Sequence, residues 1–145
     1  MKYALLIVAL LFGCDEDKPD KPSVIAAKAE CKKLIGHIAD ITPQAKGRTE
    51  EIVANLSIED QQACVASAPE IRACMMGAAD VDGVKKCIPS NDILDCMNKA
   101  DKARDKERGA KKVDDVDATV DAPFDAIRKK CYAGDKDAAK DLKVD

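Results

Sequence analysis

Three observations predict an all-α fold, a small disulfide-stapled bundle of short helices containing a duplicated helical unit. Apolar residues recur at intervals of three and four, the spacing of one helix face. No segment shows the alternation of a half-buried strand. Finally, six of the seven cysteines stand in a polar region whose only aromatic residues are Phe124 and Tyr132. So short a chain with so few aromatics buries little apolar area, and disulfides are the usual compensation.

The first element lies outside the fold. Met1-Lys2-Tyr3 carries one positive charge, and Ala4 to Phe12 is an unbroken apolar run of nine residues. Crossing a bilayer takes about 20 such residues, so the run reads as the hydrophobic part of a secretory signal, residues 1–13. Its end, Leu11-Phe12-Gly13-Cys14, resembles a bacterial lipoprotein signal, with Leu11, Gly13 and Cys14 on the pattern and Phe12 larger than the pattern prefers. The resemblance implies cleavage before Cys14 and acylation of that cysteine, hence a lipid anchor in the cell envelope facing the periplasm. Residues 14–22 are charged and carry prolines, the composition of a disordered tether. The residue after Cys14 is Asp15, which resembles an inner-membrane retention signal of enteric bacteria and leaves the choice of membrane open.

A helical, cysteine-rich domain is expected over residues 23–134. Val24, Ala27, Cys31, Leu34, Ile38 and Ile41 form one apolar stripe on a first helix capped by Ser23. Thr42-Pro43 ends it and can cap a second helix running through Ile52 and Val53 toward Leu56. Residues 57–79 and 80–101 then read as two copies of one unit. Ser57 to Cys64 aligns with Asp80 to Cys87, and Ile71-Arg72-Ala73-Cys74-Met75 aligns with Ile93-Leu94-Asp95-Cys96-Met97. Each copy has a capped helix ending near a cysteine, then a second cap (Ser67 or Ser90) and a helix with a cysteine inside it. Ser67-Ala68-Pro69-Glu70 has the form of a capping box with proline in the first turn. The copies should pack on each other and on the flanking helices. The charged stretch from Asp101 to Arg108 is either a solvated helix laced with ion pairs or disordered. Phe124, Ile127 and Cys131 mark a final short helix entered through Asp121-Ala122-Pro123 and stopped at Gly134, after which residues 135–145 are a charged tail.

Pairing of the six cysteines is narrowed by the repeat. Cys74 and Cys87 flank the turn near Asp80 and meet if their helices are antiparallel. Extending that rule, in which a cysteine inside one helix bonds one at the end of a later helix, gives Cys31–Cys64, Cys74–Cys87 and Cys96–Cys131. The spacing Cys64-x9-Cys74, Cys87-x8-Cys96 also resembles the twin Cys-x9-Cys hairpins of the mitochondrial intermembrane space. That resemblance implies Cys64–Cys96 nested around Cys74–Cys87, with Cys31–Cys131 left over. Pro69 interrupts the continuous helix such hairpins require.

The candidate chemistry is sparse. The formal charge is −3, or −4 once Lys2 is removed with the signal, and the charges are interspersed, so no nucleic-acid surface is expected. No two cysteines have the Cys-x2-4-Cys spacing of a zinc site, and no Cys-x-x-Cys redox motif occurs. His37, the only histidine, reads as a helix-surface residue. Asp115, Asp117 and Asp121 alternate as in a calcium loop but lack its glycine and terminal glutamate. Met75, Met76 and Met97 read as core fillers rather than copper ligands. No metal, cofactor or catalytic residue is expected. From Glu30-Cys31, His37, Cys64, Cys74-Met75 and Cys87, the chain is similar over residues 24–100 to small cysteine-rich lipoproteins of myxobacteria and related deltaproteobacteria. The expected function is a non-enzymatic structural or binding module of the envelope with an envelope protein as partner. A periplasmic thiol-redox or metal-carrier protein is the alternative.

Overall fold

The computed structural model describes residues 20–144, and all the regular structure among them is helical: α1 (Pro22–Ile41), α2 (Thr49–Ala54), α3 (Ile58–Ala66), α4 (Pro69–Met76), α5 (Val81–Lys86), α6 (Asn91–Lys111) and α7 (Ala118–Tyr132). The chain is an all-α, disulfide-stapled bundle. Cys14 and most of the tether lie outside the described residues.

The helices form two groups. α1 is the spine of the first, and α2, α3, α4 and α5 all pack on it. Its stripe faces them as the spacing predicts, with Cys31 and Leu34 buried. The second group is the antiparallel pair α6 and α7. Its core is Ile93, Cys96, Met97, Cys131 and Ala139, with Ile127 and Tyr132 packed against it. Small residues on α6, Ala100 and Ala103, are buried as well.

Several helix ends differ from the sequence expectation. α1 begins at Pro22, whose fixed φ and missing N–H suit the first helical position. Ser23 therefore lies inside the helix, and its hydroxyl donates to Asp115 on the far side of the chain. Thr42 ends α1, its hydroxyl donating to the Ile38 carbonyl (2.6 Å), but it caps nothing further. α2 starts only at Thr49, after turns that include Gly47 at φ 84°. The Ser57 and Asp80 caps form: their oxygens accept from the N–H groups of Asp60 (3.0 Å) and Gly83 (2.7 Å). The Ser67 cap does not. Its hydroxyl donates back to the Cys64 carbonyl (2.6 Å), and Ala68 occupies the N-cap position of α4. Ser90 precedes α6 without a side-chain cap bond.

The charged stretch is helical. α6 continues to Lys111, supported by Arg104–Asp101 (2.8 Å) and Lys111–Glu107 (3.0 Å) pairs on its own surface. The start of α7 is the largest displacement. Asp117 caps it by accepting from the Thr119 N–H (2.8 Å), so Pro123 lies inside the helix rather than at its start. There it lacks the donor for the Thr119 carbonyl. Asp121 accepts from the Asp117 N–H (2.9 Å), which ties the cap residue to the first turn. α7 ends at the predicted place, with Gly134 at φ 109° and the Asp135 N–H donating to the Lys130 carbonyl (3.0 Å). The segment after it is not a free tail. Ala139 is buried, and Ala138 and Leu142 pack on the core of α6 and α7, because these apolar residues lie at a spacing that a turn brings to one side.

The two repeat copies fold as α3–α4 and α5–α6, each a helix–turn–helix. They do not form a common layer: α3 and α4 lie on α1, whereas α6 lies on α7.

Candidate functional site

The cysteine framework comes first, because it fixes what the other groups can do. The structure joins Cys31 to Cys64, Cys74 to Cys87 and Cys96 to Cys131, with Cα–Cα separations of 5.9, 5.6 and 5.7 Å. These are the pairs of the sequential scheme, not of the nested hairpins. Cys64, Cys87 and Cys131 each lie in or just after the last turn of their helix, and each bonds a cysteine on an earlier helix. The sulfur-bearing residues differ in access: Cys31, Cys96 and Cys131 are buried, while Cys74 is exposed beside the buried Cys87. All six cysteines of the described residues are bonded.

No disulfide crosses between the two helical groups. A polar seam does. Arg128 of α7 is buried, and its guanidinium donates to Glu70 of α4 (2.9 and 3.2 Å) and Asp101 of α6 (2.9 Å), with Asp125 at 3.0 Å. Burial alone lowers an arginine pKa, but the hydrogen bonds to Glu70 and Asp101 outweigh it and raise that of Arg128. The Tyr132 hydroxyl donates to the Cys87 carbonyl (3.0 Å), a second link from α7 to the first group. Glu70 is thus committed to the seam, and Ser67, whose N–H donates to the Ala63 carbonyl at the end of α3, forms no capping box with it.

Arg72, also buried, works within the first group. Its Nε donates to Glu30 of α1 (2.9 Å), and its Nη1 reaches the carbonyls of Val65 (3.4 Å) and Ser67. A cation there satisfies carbonyl groups that the C-terminus of α3 leaves open. A third buried charge, Asp121, accepts two bonds from Arg108 (2.7 and 2.5 Å). That hydrogen bonding holds its carboxyl below the ordinary value of 3.8, against the opposing effect of burial.

The residues singled out in the sequence scatter into separate roles. His37 is half-buried, and its Nε2 donates to the Ala78 carbonyl (2.9 Å), tying α1 to the turn before α5. Asp115, Asp117 and Asp121 do not converge: one accepts from Ser23, one caps α7 and one pairs with Arg108. Met97 is a core residue, Met76 is exposed and Met75 lines a groove. Among the described residues, no group of three or more His, Cys, Asp or Glu side chains is arranged to hold a metal ion, and no helix is long and apolar enough to cross a membrane.

Sequence reasoning missed that Arg72, Arg128 and Asp121 are buried and paired. The signal for Arg128 was present: it lies four residues after Phe124 and three before Cys131, on the stripe face of α7. A charge at such a position is a buried charge with partners still to be found. The structure also shows an aliphatic groove of about 450 Å³ among α1, α2, α3 and α4, lined by Leu34, Ile38, Ile52, Leu56, Ile71 and Met75 among others.

Comparison of the chain with protein-family models, with curated proteins and with solved structures returns no match.

Proposed function

We propose that this chain is a lipid-anchored, extracytoplasmic lipoprotein of the bacterial cell envelope whose helical domain acts as a non-enzymatic binding module. The observation that carries the reading is the complete pairing of Cys31, Cys64, Cys74, Cys87, Cys96 and Cys131 in three disulfides. Such bonds persist in oxidising compartments, which agrees with a secretory signal over residues 1–13, cleaved before Cys14. Attachment of more than one acyl chain there is enough for stable anchoring. The buried charges support a scaffold rather than a catalyst, since Arg72, Arg128 and Asp121 are each taken up by structural partners. The test is incorporation of labelled palmitate into the expressed chain, with Cys14→Ala as the comparison. Label that depends on Cys14 supports the anchor, and equal labelling of both chains refutes it.

A thiol-redox role is the second reading, and the exposure of Cys74 is what favours it. A thiol count on the denatured, unreduced protein separates the two. A structural framework gives no free thiol from the six domain cysteines, whereas an exchanging pair leaves a fraction reduced.

A further inference from the structure

We propose that the aliphatic groove among α1, α2, α3 and α4 binds a single-chain amphiphile with a neutral or cationic head group. The proposal rests on the binding-module reading and is independent of the anchor at Cys14.

The groove lies on the first helical group. In the α6–α7 half, Ile93, Met97 and Val120 are covered. In the α1–α5 half, Leu34 and Ile71 form a buried floor, but Ile38, Ile52, Leu56 and Met75 remain half-exposed around it. α2 has no fully buried residue and stands as one wall. Apolar area left in water costs about 25 cal/mol per Å², so an apolar occupant recovers free energy that the fold itself does not.

Size and charge identify the occupant. Ten residues line the groove, whereas a stable protein interface engages about 20–30 on each side. The groove by itself offers a second copy of this chain or another protein too little surface. A volume of about 450 Å³ falls within the range of roughly 300–1,000 Å³ usual for small-molecule sites. Two polar side chains reach the lining, Ser67 and Asp60. The Ser67 hydroxyl is already donated to the Cys64 carbonyl. Asp60 accepts from the Ser57 hydroxyl (2.8 Å) and has no cationic partner among the ion pairs of the described residues. Arg48, which lines the neighbouring cavity with Asp60, is held by Glu51 (3.0 Å). The mouth is consequently net negative, which repels a carboxylate head and accepts a neutral or cationic one, while the walls take an alkyl chain.

The test uses the disulfide-intact chain and three probes below their micelle concentrations: dodecyltrimethylammonium, a neutral dodecyl glycoside and dodecanoate. Methyl NMR spectra report which isoleucines respond. The methyls of Ile38, Ile52 and Ile71 are expected to shift saturably with the first two probes, and dodecanoate to bind about fivefold more weakly, the effect of one like charge at about 4 Å in water. Asp60→Asn removes that discrimination. Ile52→Gln weakens all three probes about tenfold or more, and Ile25→Gln, on the exposed side of α1, changes none. Shifts that fall equally on the exposed Ile25, Ile58 and Ile88, or no saturable shift, overturn the proposal. So does a preference against dodecanoate that survives Asp60→Asn. The methyl map of the unaltered chain needs no variant to fold, and it reads the groove alone, whereas palmitate labelling reads the anchor alone.

Discussion

Arg128 shows how much one residue can hold. Its side chain is 6 % exposed and faces Glu70, Asp101 and Asp125, drawn from three helices. Removing a buried member of such a pair strands the others, at about 3–5 kcal/mol. Arg128→Ala is therefore expected to lower unfolding free energy in urea by that amount, and Arg128→Met with Glu70→Leu to recover most of it. Asp121 makes a pH prediction. Its folded-state pKa is depressed below 3.8 by Arg108, so its contribution is fully present above the unfolded value and is lost as pH falls through the folded one. Acid titration of thermal stability should show a falling limb below pH 3.8 that Asp121→Asn flattens. Lys112 is the non-glycine residue at positive φ among those described (φ 56°), closing α6 with the Val113 N–H donating to the Arg108 carbonyl (2.9 Å). Glycine belongs in that conformation, and Lys112→Gly should stabilise the protein by about 0.5–1 kcal/mol, the relief of left-handed strain less the added freedom of the unfolded chain.

At the scale of elements, what the sequence showed and what it hid divide by range. Local signals were readable: the α1 stripe, the Ser57 and Asp80 caps, Gly134 as a stop. The disulfide pairs were readable too, because helix ends place cysteines and the repeat supplied the rule. Failures came where a residue with a clear local preference was taken by a distant partner. Ser23 left its cap for Asp115, 92 residues on, and Glu70 turned to Arg128, 58 residues on. No window of sequence contains both members of those pairs. The groove was hidden for a related reason, since half-exposed Ile52 and Leu56 have the same pattern as residues of a closed core. The disulfides differ as elements. Cys74–Cys87 closes 13 residues and has one exposed cysteine, whereas Cys96–Cys131 closes 35 and is buried at both ends. Graded reduction followed by alkylation and mass spectrometry should find Cys74 and Cys87 modified first. Replacing Cys96 and Cys131 by alanine should cost at least the ~4 kcal/mol of loop entropy, against ~3 kcal/mol for the shorter loop.

For the whole molecule, the decisive fact is that, among the described residues, every covalent crosslink lies within one helical group and none between them. Cys31–Cys64 and Cys74–Cys87 staple α1 to α3 and α4 to α5, and Cys96–Cys131 staples α6 to α7. The groups meet through the polar contacts of Arg128 and Tyr132 and the Lys21–Asp114 and Ser23–Asp115 bonds, and Ala68 before α4 packs on the α6–α7 core. The closed apolar core belongs to α6 and α7, while the first group opens into the groove and its helices α2, α3 and α5 contain no fully buried residue. Local opening follows such differences in burial. Hydrogen exchange should therefore be slowest in α6 from Ile93 to Ala103 and in α7 from Val120 to Cys131, intermediate around Cys31 and Leu34, and fastest in α2 and α5. Arg128→Ala should raise exchange at both ends of the seam, in α4 and α7, more than in α2, which makes no contact with it. Uniform protection across all the helices would instead mean that the two groups unfold as one unit, with the polar seam coupling them as firmly as a shared core.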